Sequence, residues 1–262
     1  MTRGLACAVI DERRRACNGW AVEIVERIRG RLAVRAERGT RRPRFEHVAD
    51  WREQLHSLID APGCTCSDFV DLWASVVSGV GESPHEAGRG YDAGKTLAEA
   101  VFIGVRHLRP AVVVETVVAR GITSRVILEA MESNGHGLLF SIDLPPMNKK
   151  WRDEAGIAVP PRLRDRWTFV RGSSRQKLAP VLRRAGPDLP IFVHDSLHTY
   201  KNMWWEYAQA WPALSRGGLM ISDDVEDNCA FNDFCIAQPG APALVVKEEH
   251  RSGFIGVVQK PH

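Results

Sequence analysis

The sequence predicts an α/β protein with a Rossmann-like, doubly wound and mostly parallel sheet of seven strands, ending in an antiparallel hairpin. Two observations predict this fold. In the second part of the chain, apolar runs of strand length alternate with helical segments, which is typical of a parallel sheet with helices on both faces. The final segment, ALVVKEEHRSGFIGVVQK, has the pattern of a β-hairpin and therefore adds an antiparallel edge.

The predicted strands are continuous apolar runs of the kind that a sheet buries on both faces. Pro110 marks the entry into the first of them, after the helical segment AGKTLAEAVFIGVRHL. Helical patterns follow the first, third and fourth strands, and a Pro- and Arg-rich insert, residues 145–165, follows the second. The five parallel strands are expected at 111–116, 138–143, 166–172, 191–195 and 219–224.

The character of the chain changes near residue 91, which predicts two parts. Residues 1–90 form a helical extension, because apolar and charged positions alternate there at helical spacing and SDFVDLWASVVSGV opens with a Ser/Asp cap. Residues 91–262 form the α/β domain. We expect the extension to act as a lid or as an oligomer contact.

The composition is that of an ordinary globular protein, with 44% hydrophobic and 26% charged residues and a formal net charge of +3 over 262 residues. No apolar run is long enough for a membrane span or a secretory signal, so we expect a cytoplasmic protein. Arginines cluster at Arg13–Arg15 and between Arg27 and Arg44, but Glu23, Glu26 and Glu37 are interspersed with them, which favours a solvated helical face over a nucleic-acid interface. Cys64 and Cys66 have no second pair, which predicts reduced thiols rather than a zinc site.

Two acidic clusters each follow a predicted buried strand. Asp195 ends the fourth strand, and Asp223 and Asp224 end the fifth. Acids at the carboxyl ends of neighbouring parallel strands lie in the crevice where open α/β sheets bind ligands. Three converging carboxylates repel one another unless a cation intervenes, and Mg²⁺ is a cation that prefers carboxylate oxygens. We therefore expect Mg²⁺ or another divalent cation there, with His198 beside it as a proton acceptor.

A second group of residues follows the first strand, in VVETVVARGITSRVILEAMESNGHGLLFSIDLPP. The strand-to-helix turn exposes backbone N–H groups that favour an anionic group, and Gly121 permits close approach of the backbone. Asp143 ends the second strand, where an acid accepts hydrogen bonds from both hydroxyls of a ribose. Alone, Gly121 is a turn residue and Asp143 a helix cap, but their spacing in one strand–helix–strand unit indicates a cofactor site.

In this segment and in the order of its elements, the chain resembles the class I S-adenosylmethionine (SAM)-dependent methyltransferases over residues 91–262. Within that superfamily it is most similar to the metal-dependent O-methyltransferases of secondary metabolism and antibiotic biosynthesis. These are enzymes of the macrolide-sugar and cephamycin-pathway type, with catechol O-methyltransferases as more distant relatives. Such relatives commonly associate through N-terminal helices, so the resemblance implies a homo-oligomer.

The resemblance assigns roles to individual residues. It implies metal ligands at Asp195, Asp223 and Asp224, and a general base at His198, where catechol-type relatives have a lysine. Thr123 would bind the methionine carboxylate of SAM, and Glu115 would help to order its amino end. The complete set implied for the cofactor is Glu115, Gly121, Thr123, Asp143, Ser174 near the adenine ring, and Tyr91 over the bound molecule.

The implied reaction is Mg²⁺-dependent transfer of a methyl group from SAM to a hydroxyl of a small natural product, such as a sugar, a vicinal diol or a catechol-like group. Val117 departs from the pattern, because the family has glycine there and a valine with positive φ would be strained. Two alternatives stay open. One is a non-catalytic SAM-fold scaffold disabled at Val117, and the other is a dinucleotide-dependent oxidoreductase, against which the missing G-x-G-x-x-G counts.

Overall fold

The computed structural model describes residues 22–37, 42–45, 48–61, 66–80, 93–144, 147–249 and 252–262. The chain forms two compact units, residues 1–39 and 40–262. In the first unit, helix α1 spans residues 22–36, and Arg29 pairs with Glu26 at 2.9 Å across one turn of it. No helix of the described residues is both long and apolar enough to cross a membrane.

Among the described residues of the second unit, three helices precede the first strand: α2 (Trp51–Leu58), α3 (Asp68–Val80) and α4 (Lys95–Leu108). Apolar side chains of α2 and α3, such as Leu55 and Phe69, belong to the same buried core as α4. Residues 40–90 of the expected N-terminal extension therefore lie in one compact unit with the α/β domain. The role of the extension as a lid or an oligomer contact stays a prediction.

The described residues form one seven-stranded sheet, as the sequence predicts. Its strands are β1 (Val112–Thr116), β2 (Leu138–Asp143), β3 (Trp167–Arg171), β4 (Leu189–His194), β5 (Leu214–Ser222), β6 (Ala243–Lys247) and β7 (Phe254–Gln259). The spatial order is β3-β2-β1-β4-β5-β7-β6. The first five strands are parallel, and β7 pairs antiparallel with both β5 and β6. The predicted fold class is thus confirmed.

Helices cover both faces of the sheet. The connections contain α5 (Ile122–Asn134), α6 (Lys149–Asp153), a 3-10 helix (Pro161–Arg166), α7 (Ser174–Ala185), α8 (Tyr200–Ala213) and α9 (Ala230–Ala237). One apolar core lies between the sheet and α2 to α5, and a second lies between the sheet and α7 to α9. This two-sided burial explains why the parallel strands read as unbroken apolar runs.

Candidate active site

The carboxyl ends of β1, β4 and β5 lie side by side, and hydrogen bonds continue beyond the last paired residues. The backbone N–H of Asp195 donates to the carbonyl of Thr116 at 3.1 Å, and the N–H of Asp223 donates to the carbonyl of His194 at 2.9 Å. These bonds hold both aspartates at one edge of the sheet. This is the edge where open α/β sheets bind ligands, as the sequence predicts.

His198 lies between two of the three predicted metal ligands. Its Nδ1 is 3.3 Å from Oδ2 of Asp224, and its Nε2 is 3.7 Å from Oδ1 of Asp195. Asp224 has a φ of 47°, a left-handed backbone conformation that turns the chain immediately after β5. His198 Nε2 is buried and makes no hydrogen bond to any described residue. One nitrogen of the imidazole therefore faces Asp224, and the other faces Asp195.

The ligand atoms of the described residues do not gather as the sequence predicts. One oxygen each from Asp224 and Asp227 and one nitrogen of His198 lie within 4.8 Å of one another. The three predicted carboxylates, on Asp195, Asp223 and Asp224, form no such group among the described residues. Asp223 is 2% exposed, and Asp227 also faces the guanidinium of Arg42 at 3.5 Å. Asp227, which is not among the predicted ligands, therefore joins the site.

Burial sets the protonation state of His198. Loss of solvation lowers its pKa below that of free histidine, although the nearby carboxylate of Asp224 acts in the opposite direction. The neutral imidazole is therefore favoured, and this is the form that accepts a proton. The ring also packs edge-on against His194, with 5.5 Å between the ring centroids.

A buried glutamate under His198 organises the floor of the site. Glu206 of α8 is 0% exposed, and its Oε2 lies 2.7 Å from Nδ1 of His194 and 2.8 Å from the donating hydroxyl of Thr116. Its Oε1 accepts hydrogen bonds from the Ser196 hydroxyl at 2.5 Å and from the Asn202 amide at 3.0 Å. One carboxylate thus joins the ends of β1 and β4 to α8.

The same contacts keep Glu206 ionised. Burial alone raises its pKa, but the charge of His194 and hydrogen bonds from His194, Ser174 and Ser196 outweigh burial and lower the pKa to about 2. Ser174, which the sequence places near the adenine of a cofactor, is therefore hydrogen-bonded to Glu206 at the start of α7. Its contact with adenine stays a prediction.

The turn after β1 has an unusual backbone. Val117 has a φ of 93°, Ala119 of 46° and Gly121 of 87°. A β-branched residue rarely adopts positive φ, because its side chain crowds the backbone there. The strain that the sequence predicts for Val117, if this position takes positive φ, is therefore present.

The insert after β2 packs directly on this turn. The N–H of Gly156 donates to the carbonyl of Ala119 at 3.0 Å, and the N–H of Ala158 donates to the carbonyl of Arg120 at 2.9 Å. A Cβ on Gly121 would lie 2.9 Å from the Cα of Gly156, so only glycine fits this contact. The sequence predicts that another group approaches the backbone closely at Gly121. In the structure, the insert lies in such close contact with Gly121.

Two acids border the turn in different ways. Asp143 ends β2 with 9% exposure, and its Oδ2 accepts a hydrogen bond from the N–H of Ala119 at 3.2 Å. Glu115 is 1% exposed, and its Oε1 accepts hydrogen bonds from the hydroxyls of Ser124 and Ser141. Burial raises the pKa of Glu115 to about 7, although both hydroxyls lower it. Glu115 thus joins β1, β2 and α5 inside the protein.

Thr123 and Tyr91 are the remaining residues predicted to bind the cofactor. Thr123 lies in the first turn of α5 and is 7% exposed. Tyr91 lies outside the described residues. The roles of both in binding SAM stay predictions.

Sequence reasoning missed Glu206 and its partner His194, although one signal was available. Glu206 is the only acid within NMWWEYAQAW, a segment of α8 whose buried face otherwise carries Asn202, Met203, Tyr207 and Ala210. An acid on such a face is stable only when it is paired. That pattern could have predicted a buried partner, but not which residue it would be.

The strand order and the antiparallel β7 define a class of protein before any comparison, namely the class I SAM-dependent methyltransferase fold. Residues 114–225 match the family model described as a methyltransferase domain. The chain therefore has this fold, and these residues resemble a methyltransferase domain. No curated protein matches the sequence.

Solved structures with similar folds cover most of the chain. An O-methyltransferase from Bacillus cereus in complex with SAH has a TM-score of 0.52 at 16% identity, and the match covers 80% of this chain and 97% of that one. The O-methyltransferase TomG from Streptomyces achromogenes, which is involved in tomaymycin synthesis and was solved with SAM, has a TM-score of 0.54 at 10% identity. That match covers 82% of this chain and 100% of TomG. At these identities the likeness is one of fold.

The side chains at the strand ends suit a hard divalent cation. Carboxylate oxygens of Asp195, Asp224 and Asp227 lie near the imidazole of His198, and oxygen is the donor that Mg²⁺ prefers. The buried Nε2 of His198 also lacks a hydrogen bond from the described residues, so it is available to a ligand. Beside the turn after β1, the carboxylate of Asp143 would suit the hydroxyls of a ribose.

Proposed function

We propose that this protein transfers a methyl group from SAM to a hydroxyl oxygen of a small molecule, assisted by Mg²⁺ or another divalent cation. The observation that carries the proposal is the position of His198, a partly buried imidazole between Asp195 and Asp224 at the carboxyl ends of the parallel strands, within residues that match a methyltransferase domain. The O-methyltransferases among the similar structures support the choice of oxygen as the acceptor.

In this proposal the aspartates hold the cation and His198 moves the proton. Asp195, Asp223 and Asp224 are the proposed ligands, and Asp227 is a further candidate because its carboxylate groups with Asp224. A bound cation would lower the pKa of an acceptor hydroxyl and fix its position, and SAM would supply the electrophilic methyl group. His198 accepts the hydroxyl proton, which the lowered pKa of its imidazole permits.

The buried groups behind His198 position it. Glu206 fixes the ring of His194, and His194 packs edge-on against His198. His198 is thus held against the floor of the site, which limits the positions its nitrogens adopt. Holding base and acceptor in contact is a large part of the acceleration in reactions of this kind.

At the turn after β1, Asp143 would accept hydrogen bonds from the ribose hydroxyls, and Thr123 would bind the methionine carboxylate. The proposed acceptor class is a sugar, a vicinal diol or a catechol-like group of a natural product, because two neighbouring oxygens would chelate the cation. Residues 156–158 of the insert pack on the turn, and in this proposal they would help to enclose the cofactor.

The test is turnover of a panel of diols, sugars and catechols with SAM, followed by mass spectrometry. We expect a product heavier by one methylene group in the presence of Mg²⁺ and none with excess chelator. Asp224→Asn should lose most of this activity, whereas Asp165→Asn, which removes an exposed acid of the 3-10 helix, should retain it. Undiminished turnover in chelator would rule out the cation.

The strained Val117 favours a second candidate, a non-catalytic scaffold with a methyltransferase fold. Calorimetric titration with SAH separates the two functions. Binding heat from the wild-type protein supports the enzyme, and no heat even at millimolar SAH supports the scaffold.

A further inference from the structure

Two histidines and a cysteine from three separate segments converge away from the strand-end aspartates. His56 comes from α2, His107 from the last turn of α4, and Cys66 from the chain just before α3. One ligand atom of each lies within 4.8 Å of the other two. We propose that His56, Cys66 and His107 form a zinc site, which the proposed methyl transfer does not use.

The distances in this cluster match zinc coordination. Cys66 Sγ lies 3.2 Å from Nε2 of His107 and 3.6 Å from Nε2 of His56. With Zn–S near 2.3 Å and Zn–N near 2.05 Å, tetrahedral angles separate sulfur and nitrogen by about 3.6 Å. Both sulfur–nitrogen distances therefore already lie close to the spacing that a shared zinc ion imposes.

The imidazole of His56 is oriented for metal binding. Its Nδ1 lies 2.7 Å from the backbone carbonyl of Arg52, and a carbonyl only accepts hydrogen bonds, so Nδ1 carries the proton. The lone pair is then on Nε2, the atom that faces Cys66. Ligating histidines in metal sites are fixed in this way by a carbonyl or carboxylate on the far nitrogen.

The environment of the cluster favours ligands in their binding forms. His56 is 3% exposed, and burial lowers the pKa of His107, so neutral imidazole is favoured at His107. Arg106 and the second histidine act in the same direction on His107, and Asp68 acts against them. A thiolate on Cys66 would be stabilised by the metal itself.

The site is separate from the proposed catalytic centre. Because α4 leads directly into β1, its last turn with His107 lies at the amino ends of the parallel strands. The aspartates lie at the opposite edge. Zinc binding would form one Zn–S and two Zn–N bonds, release the thiol proton of Cys66 to solvent, and leave a fourth position to water. It would join α2, the start of α3 and α4 without any redox step.

The experiment measures zinc in the full-length protein after chelation and reconstitution with zinc chloride at neutral pH. We expect about one zinc per chain. Cys66→Ser and His107→Gln should each lower the zinc affinity by more than about 100-fold, which exceeds the effect of removing a residue that only hydrogen-bonds a metal ligand. Cobalt(II) in place of zinc should give thiolate-to-metal absorption in the wild type and none in Cys66→Ser.

Two variants serve as controls. Cys229→Ser changes a cysteine beside α9, and Asp224→Asn changes the acidic group at the strand ends, so both should keep the zinc. The proposal is wrong if the wild type takes up no zinc, or if a folded Cys66→Ser binds it as tightly. It is equally wrong if Asp224→Asn, and not Cys66→Ser, loses the metal. Should Cys66→Ser fail to fold, the cobalt spectrum of the wild type and His107→Gln decide the outcome.

Discussion

His194 and Glu206 form a fully enclosed pair, with 2.7 Å between Nδ1 and Oε2 and 0% exposure of both side chains. The pair lies directly behind the site, because His194 is the last residue of β4 and Asp195 follows it. Removing one partner of such a pair leaves the other buried without compensation, which costs far more than the pair contributes in isolation.

We expect Glu206→Ala to lower the free energy of unfolding by about 3–5 kcal/mol, because it strands His194 and the donors of Thr116, Ser196 and Asn202. Urea unfolding monitored by tryptophan fluorescence measures this loss. Glu132→Ala is the matched control, since its surface pair with Arg166 should contribute less than about 1 kcal/mol. Equal losses in both variants would show that Glu206 is not the organising charge.

His198→Ala should lower kcat by about 10²–10⁴-fold and leave the affinity for SAM near that of the wild type. The reason is that His198 faces the aspartates, whereas the proposed SAM contacts lie at the turn after β1. Burial lowers the pKa of His198, so the wild-type rate should hold to a lower pH than free histidine allows, and then fall as the base becomes protonated. The variant should lack this fall; an unchanged pH–rate profile would remove His198 from the mechanism.

Val117→Gly should stabilise the protein and tighten cofactor binding. A β-branched residue at a φ of 93° stores about 1–3 kcal/mol of strain, which glycine removes. Glycine also increases the conformational entropy of the unfolded chain, which offsets about 0.5–1 kcal/mol of this gain. We expect a net gain of about 1 kcal/mol in urea unfolding and a lower Kd for SAH in calorimetry.

Val118→Gly is the control for this change, because the neighbouring valine has no positive φ and is 5% exposed. Loss of that buried side chain should destabilise the protein by about 2–3 kcal/mol. If Val117→Gly is also less stable than the wild type and binds SAH no better, the turn is not strained in the way its backbone indicates.

Local patterns predict the elements of the sheet closely. The strand expected at 138–143 coincides with β2 to the residue, and α7 follows β3 as the helical pattern after the third strand predicts. The strand expected from residue 219 begins instead at Leu214, because Ser215, Arg216 and two glycines interrupt the apolar run although the backbone is already extended. The hydrophobic pattern indicates which side chains are buried. It gives no strand signal where the residues of a strand are polar or glycine.

Long-range polar contacts could not be predicted in the same way. Glu248, in the loop between β6 and β7, accepts hydrogen bonds from the N–H groups of Thr96 and Leu97 and so caps α4 from more than 150 residues away. The zinc cluster likewise joins residues 10 and 41 positions apart, which explains why Cys64 and Cys66 read as a poor metal motif. For the strand-end site, the sequence places the aspartates at the correct edge, but not the grouping of Asp224 with Asp227.

Glu115 predicts a pH dependence of stability. Its pKa is about 7 in the folded protein and has the ordinary value of 4.5 in the unfolded chain. As pH rises, the unfolded chain therefore releases this proton first. Stability from this group is therefore full below about pH 4.5, falls between about pH 4.5 and 7, and is constant above, with a total loss of about 3 kcal/mol.

Glu115→Gln, which cannot ionise, should remove this slope when urea midpoints are compared between about pH 5 and 8. Glu132→Gln, an exposed exchange of the same kind, should leave it in place. Parallel pH profiles for the wild type and Glu115→Gln would mean that solvent reaches the carboxyl group of Glu115, and that it does not join β1, β2 and α5 as a buried acid.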